Sequence, residues 1–202
     1  MPGLQDLSLV FVAYLIGSIP FGLLISQVVG RVDIRRYGSG NIGTANVLRI
    51  VGKRAAALTL LGDLLKGFLP TLAALLLGGS DLLVAGVGLA AVLGHNWSVY
   101  LRFAGGKGVA TSFGALLAMT PLPAILGFLV WLGVVLVFRY TSLAALAASV
   151  CIPPLIFFSI GSGPYFTFSL LATLLIFVRH RDNIQRLWAG TEHRVGRRVH
   201  EG

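Results

Sequence analysis

Long apolar stretches alternate with short polar ones along this chain, at a spacing that suits bilayer crossings. A crossing helix needs about 20 predominantly apolar residues. Stretches of that kind run from about Leu7 to Val29, Ala55 to Leu77 and Leu82 to Leu101. Residues 108–138 carry no charge at all. That run is too long for one upright helix and short for two. Thr120-Pro121-Leu122-Pro123 lies near its middle, and proline breaks a helix by removing an amide donor and crowding the preceding turn. The pattern predicts a short helix over about Val109–Met119 and a fuller one over about Pro121–Phe138. A sixth follows over about Ser142–Ile160, a turn at Gly161-Ser162-Gly163-Pro164, and a seventh over about Tyr165–Val178. The first stretch is long and has no basic residues before it, so it is expected to be a retained span. The predicted fold class is an all-α integral membrane protein of seven transmembrane helices, one of them short. Residues 1–202 form a single polytopic domain, with no internal repeat or low-complexity segment.

Composition agrees and adds a direction. Charged residues make up 11 % of the chain, against about 25 % in soluble domains. Of the 16 Lys and Arg, all but Lys66 fall in four islands: Arg31–Arg54, Arg102–Lys107, Arg139 and Arg179–Arg198. In the seven-helix threading the islands follow spans one, three, five and seven, so they share a side. Asp6, Asp81 and the Gly161 turn share the other side, which has no Lys or Arg. Basic loops stay in the cytoplasm. The N-terminus is therefore expected outside, and the C-terminus inside. Cytoplasmic loops cover about 30–54, 102–108 and 139–142, with a tail over 179–202. Making one helix of 109–138 would put Arg139 and the tail outside, so six spans are rejected. The net charge of +9 follows from this placement rather than from nucleic-acid binding. The lone Cys151 lies in an apolar run and is expected to pack. No His or carboxylate cluster has metal-ligand spacing.

The islands also hold most of the chemistry-bearing residues. Residues 38–46 contain three glycines and two asparagines, which is not an ordinary helix. Backbone N–H groups in such a loop can cradle phosphate, and Arg49 can add a charge-assisted contact. A flexible interhelical loop is the alternative. Gly105-Gly106-Lys107-Gly108 opens an apolar run, placing a lysine at a helix N-terminus, a natural phosphate site. It lacks the longer loop and following Ser or Thr of a Walker A motif. Lys107 as an interfacial anchor and His95 as a packing histidine stay open. Asp63 and Lys66 stand at i, i+3 inside the second span, so they can pair. Intramembrane ionisable residues point to function, although this pair can equally brace the loops. Helical spacing puts Arg179, Asn183 and Arg186 on one side, with His180 next to Asn183. The tail also reads as a basic amphipathic helix lying on the membrane through Leu187 and Trp188. Ser142 opens the sixth span, where an N-cap alone would explain it.

Five segments in order carry a resemblance: GSGNIGTANVLR (38–49), DLLKG (63–67), GHNWSVYLRFAGGKGVAT (94–111), RYTSLA (139–144) and RHRDNIQRLWAGTEHR (179–194). Together they resemble the bacterial acyl-phosphate-dependent glycerol-3-phosphate acyltransferases (the PlsY family), over essentially the whole chain. Three places depart from the family pattern. Thr44-Ala45-Asn46 stands for the usual Ala-Thr-Asn or Thr-Thr-Asn, Ser98 for a common Pro, and Arg102-Phe103-Ala104 for Gly-Phe-Lys.

The resemblance implies transfer of a fatty acyl group from acyl phosphate to the 1-hydroxyl of sn-glycerol 3-phosphate. The products would be lysophosphatidic acid and phosphate, the first acylation step of phospholipid synthesis. It implies catalytic roles for Ser39, Lys107, Ser142, His180 and Asn183. Substrate or phosphate binding would fall to Gly40, Asn41, Gly43, Asn46, Arg49, His95, Gly105, Gly106, Gly108, Thr111, Arg179 and Arg186. Asp63, Lys66 and Glu192 would support them. No cofactor and no metal are expected. The expected partners are the two small-molecule substrates and membrane lipids, with no nucleic acid. One chain should function as a monomer in the bacterial cytoplasmic membrane, its site facing the cytoplasm. There is no Gly-x-Ser-x-Gly elbow and no His-x-x-x-x-Asp motif, so direct attack without an acyl-enzyme is expected. The proton acceptor is either the leaving phosphate or His180. An organic-phosphate transporter is the alternative reading. It is disfavoured because the other side lacks a polar cluster and no inverted repeat is visible.

Overall fold

Proline at position 20 shapes the first crossing. The expectation of one continuous helix over Leu7–Val29 is corrected here: the chain forms α1 (Leu4–Gly17) and α2 (Phe21–Gly30), separated at Ser18-Ile19-Pro20. Pro20 has no amide hydrogen to continue the ladder, and the Ile19 amide turns back to the Ile16 carbonyl at 3.1 Å. The carbonyls freed by the break are met by side chains from elsewhere. Lys66 Nζ donates to the Ile19 carbonyl at 2.8 Å and Ser98 Oγ to the Ser18 carbonyl at 2.5 Å. Ser98, the departure from the family's proline, therefore ties the break in place with its hydroxyl.

The computed structural model describes residues 3–195. It is all helical among those residues. After α2 come a 3-10 turn (Ile34–Arg36), α3 (Thr44–Ile50), α4 (Lys53–Leu76), α5 (Asp81–Asn96), a 3-10 turn (Val99–Leu101), α6 (Val109–Met119), α7 (Pro121–Phe138), α8 (Thr141–Ile160), α9 (Pro164–Arg179) and α10 (Arg181–Trp188). The short α6 and the break at Thr120 stand as the uncharged run predicts. At about 1.5 Å per residue, α6 is only about 16 Å long, half a hydrocarbon core. Residues 196–202 of the basic tail, including Arg197 and Arg198, lie outside the described residues.

The outer surface is apolar, as an integral membrane protein requires. Leu122, Ile125, Phe128, Leu136, Val137 and Phe138 of α7 all face outward, and only Pro123, Ala124 and Gly127 of that helix are buried. Inside, close approach replaces bulk. In lipid no hydrophobic force draws helices together, so small residues that let backbones touch carry the packing. A methyl at Gly67 or Gly114 would fall on backbone carbonyls of Thr111 and Leu64, at the α4–α6 crossing. Gly17 and Gly94 play the same part between α1 and α5, against Ala91 and Tyr14. Phe168, Val84, Val87, Met119 and Ile156 fill the space between α5, α6, α8 and α9.

The chain alternates between two ends of this bundle. The loops after α2, α5 and α7, together with α10, gather at one end, which we call the polar end. Gly3, the α4–α5 turn and the α8–α9 turn lie at the other, where Tyr165 donates to Asp81 at 2.8 Å.

Candidate active site

The polar end is organised around one carboxylate. Glu192 Oε1 accepts hydrogen bonds from Ser142 Oγ at 2.9 Å and from Asn183 Nδ2 at 2.6 Å. Its Oε2 accepts from Arg186 Nε at 2.7 Å. The oxygen of the Asn183 amide accepts from Lys107 Nζ. Elements far apart in sequence thus meet: the turn before α6, the first residues of α8, α10 and the segment after it. That segment is strapped down. The Val195 amide donates to the Arg139 carbonyl at 2.8 Å. Arg194 donates to the Tyr140 hydroxyl at 2.9 Å and lies over its ring at 5.3 Å.

Charge at this end is tuned by burial and neighbours. Burial and nearby arginines bring the Lys107 ammonium down to about 8, against the attraction of Glu192. Burial and the Lys107 charge hold His180 at about 4, so its imidazole is neutral. Its Nδ1 lies 2.8 Å from the Ile176 carbonyl. A carbonyl only accepts, so Nδ1 carries the proton and Nε2 is left as an acceptor. Burial raises the Glu192 carboxyl, but the hydrogen bonds from Asn183, Arg186 and Ser142 outweigh it and leave it lowered. Glu192 is therefore ionised and leaves a surplus of cations around it. Arg49 is half-buried within the field of Glu192 and Arg186, and His193, lowered by burial and by Arg49, lies beside it.

The first loop is held by a single side chain. Asn46, buried in α3, donates to the carbonyls of Ile34, Tyr37 and Asn41 at 3.2, 3.0 and 2.9 Å. Its Oδ1 accepts from the Ser39 amide at 3.1 Å and from Arg49 at 3.4 Å. The Gly43 amide donates to Asn41 Oδ1 at 2.9 Å. Ser39 and Gly40 are exposed at the tip of this loop, and their backbone bonds stay within it. Gly40 adopts φ +68°, which glycine accommodates without a side-chain clash.

The structure sorts the expected site residues into three groups. Arg49, Lys107, Ser142, His180, Asn183, Arg186 and Glu192 converge. Ser39, Gly40, Asn41 and Gly43 form the neighbouring open loop. The remainder face away from open space. Asn46 saturates its amide on its own loop. Thr111 is fully buried and donates to the Asp63 carbonyl at 3.0 Å. His95 sits under the Gly105–Gly106 turn near Asp63, the packing position left open by the sequence. Asp63 and Lys66 do pair, at 2.8 Å. Arg179 spends its guanidinium on the carbonyls of Gly106 and Gly105, at 2.9 and 2.7 Å, and lies over the Trp97 ring. One expectation is corrected: Arg179, Asn183 and Arg186 do not share a helix. α9 ends at Arg179 and α10 begins at Arg181, with His180 as the joint. On α10 Asn183 is buried, while Trp188 is 88 % exposed. Trp97, Tyr140, His193 and Arg194 also join the site; each lies inside a segment that carries the resemblance, but without a role assigned to it. Nothing in their spacing marks them, because each acts through a partner distant in sequence.

Fold and site together define a multi-pass helical membrane protein with a cationic, glycine-lined cluster at one end of its bundle. Comparison with known proteins gives this class a family. The family model described as glycerol-3-phosphate acyltransferase matches residues 7–190. The chain is 48 % identical over 194 residues to the glycerol-3-phosphate acyltransferase of Rubrobacter xylanophilus, covering 96 % of each. It is 45 % identical over 195 residues to that of Neisseria meningitidis serogroup C, covering 95 % of this chain and 98 % of the relative. Two crystal structures of PlsY (YgiH), an integral membrane glycerol 3-phosphate acyltransferase, superpose with TM-scores of 0.91 and 0.89 at 44 % identity. One is the glycerol 3-phosphate form and the other the lysophosphatidic acid form, and each match covers 95 % of this chain and 96 % of that one. The chain belongs to the glycerol-3-phosphate acyltransferase family.

Proposed function

We propose that the protein transfers a fatty acyl group from acyl phosphate to the 1-hydroxyl of sn-glycerol 3-phosphate, giving lysophosphatidic acid and inorganic phosphate. The supporting observation is the convergence of Lys107, Ser142, His180, Asn183, Arg186 and Arg49 at one end of the bundle. Relatives solved in glycerol 3-phosphate and lysophosphatidic acid forms supply the substrate and product. Both substrates carry phosphate, which accounts for the excess of cations. In this reading Arg49 and the Ser39–Gly43 loop hold one phosphate, and Lys107, on the turn that Gly105, Gly106 and Gly108 shape, holds the other. Asn46, Thr111 and Arg179 shape the site from behind. The reading takes seven passes, with the N-terminus outside and the cluster on the cytoplasmic side of a bacterial inner membrane, supported by the retention of basic loops in the cytoplasm. One chain carries every residue named, so a monomer suffices, and the reaction calls for no cofactor or metal. The acyl chain would lie between helices in lipid-like surroundings.

The 1-hydroxyl oxygen attacks the acyl carbonyl carbon. The new ester C–O bond forms as the carbonyl carbon's bond to the phosphate oxygen breaks, and phosphate leaves. Acyl phosphate is already activated, so positioning and charge stabilisation carry most of the acceleration. The hydroxyl proton passes to the departing phosphate. A general base works best with a pKa near the working pH. His180, held at about 4, is a poor match, whereas a phosphate group titrates near about 6. His180, neutral and buried beside Lys107, then lines the reacting centre without taking the proton. If His180→Gln loses about 10²–10⁴-fold in rate while folding and binding substrate normally, His180 is the base and the phosphate route is wrong.

The decisive assay mixes purified protein in detergent with labelled glycerol 3-phosphate and palmitoyl phosphate, palmitoyl-CoA or palmitoyl-carrier protein. Labelled lysophosphatidic acid from palmitoyl phosphate alone is expected. Product from the thioesters alone would keep the reaction and overturn the donor.

A further inference from the structure

Beneath the Gly105–Lys107 turn lies a buried ionisable group that the chemistry above does not use. Asp63, Lys66 and His95 are 2 %, 3 % and 4 % exposed. Asp63 Oδ1 lies 2.8 Å from Lys66 Nζ and 3.6 Å from His95 Nδ1. Lys66 also reaches the carbonyl freed at the α1–α2 break. Such a group is expensive inside a membrane protein, and His95 connects it to the turn. The His95 carbonyl accepts from the Gly106 amide at 2.9 Å. A methyl placed on Gly106 would fall on His95 Nε2, and one on Gly105 would fall on the carbonyls of His95 and Asn96. From the opposite side Arg179 grips the carbonyls of these same two glycines. The turn is therefore clamped between an imidazole and a guanidinium, and the next residue is Lys107.

We propose that His95 is a positioning residue for Lys107. Its ring, steadied by the Asp63–Lys66 pair, is the floor on which Gly106 rests, and that floor sets where the ammonium of Lys107 stands relative to Asn183 and bound phosphate. The inference rests on the phosphate-binding role proposed for Lys107. It separates His95 from the residues that touch substrate: His95 acts through two backbone glycines.

A double-mutant cycle on the full chain in detergent tests this. The variants are His95→Ala, Gly106→Ala, Lys107→Met and His95→Ala combined with Lys107→Met, each checked for a cooperative thermal transition. A displacement of about 1 Å in a catalytic group can cost about 10²-fold, so His95→Ala and Gly106→Ala should each lower kcat/KM for palmitoyl phosphate by about that factor. Groups acting as a unit are non-additive, so adding His95→Ala to Lys107→Met should cause no further loss. A folded His95→Ala at the wild-type rate, or losses that multiply in the double variant, would overturn the proposal. Should His95→Ala fail to fold, Gly106→Ala decides through the same cycle with Lys107→Met, since it keeps the buried group and adds one methyl. Wild type assayed alongside reports separately on the proposed reaction. If wild type makes no product, the same cycle on equilibrium binding of labelled inorganic phosphate decides the positioning role, with the same loss and the same non-additivity expected.

Discussion

The two ends of the bundle solve the same backbone problem with different residues. A helix that stops by turning left-handed needs positive φ, and glycine is the unstrained choice. At the end away from the cluster, glycine meets the need: Gly78 follows α4 at φ +76°, and Gly161 ends α8 at φ +80°. At the polar end Gly52 and Gly190 do so after α3 and α10, but three other elements stop on arginine. Arg31 ends α2 at φ +53°, Arg102 ends the second 3-10 turn at φ +53°, and Arg139 ends α7 at φ +64°. A non-glycine residue there costs about 1–2 kcal/mol. In return each stop places a cation at the negative end of a helix and on the side where basic loops are retained. The comparison teaches that at these three stops charge outweighs backbone comfort.

The sharpest way to break this contrast is to remove a cation from the site itself. Lys107→Met should reduce acylation by about 10²–10³-fold, the usual loss for one preorganised donor. Gly161→Ala at the far end should leave the rate unchanged. Parallel assays of purified variants check both. Next in size, Glu192→Ala strips the acceptor from Ser142, Asn183 and Arg186. Leaving buried donors unpaired costs about 1–3 kcal/mol, read as a lower thermal transition in detergent.

Titration sharpens the contrast further. Lys107 falls from 10.5 to about 8 in the folded chain, so it is charged below that pH and neutral above it. Phosphate binding should hold below about pH 8 and then weaken about tenfold per unit, the limiting slope for losing one required proton. Since His180 at about 4 is already neutral throughout, the fall belongs to Lys107. Isothermal titration with inorganic phosphate from about pH 8 to about 10 measures it. Binding unchanged across that range would remove the lysine from the site.

The smallest effects concern the helix ends. Arg102→Gly, which relieves the positive φ at that position, should raise stability by about 1 kcal/mol. Gly161→Ala should lower it by a similar amount. Thermal unfolding of the two variants gives opposite signs if the strain argument holds.

Much of this architecture is legible in the chain, and the failures have a common cause. α6 and α7 are readable because prolines and an uncharged run act over a few residues. The Asp63–Lys66 pair is readable because i, i+3 neighbours meet on any helix. The break after Gly17 escapes a hydropathy reading even though Pro20 signals it, since apolar character continues through Ser18-Ile19-Pro20. Its stability depends on Lys66 and Ser98, which no local pattern connects to it. The same holds at the cluster. Sequence names Glu192 as a support but cannot show that it gathers Ser142, Asn183 and Arg186. Nor can it show that Arg179 points away from Asn183, because both depend on the joint at His180.

The carbonyl of Ile19 has a further consequence, for the order in which the protein is made. A lysine or an aspartate near the centre of a membrane helix resists insertion by about 3 kcal/mol each, and α4 carries both near its middle. Their mutual pairing comes with the helix, but the third partner does not: it sits in the segment that leaves the ribosome first. The Ile19 carbonyl that receives Lys66 belongs to a segment synthesised before α4. The kinked N-terminal span thus gives Lys66 an acceptor made earlier in the chain than the helix that carries the charge.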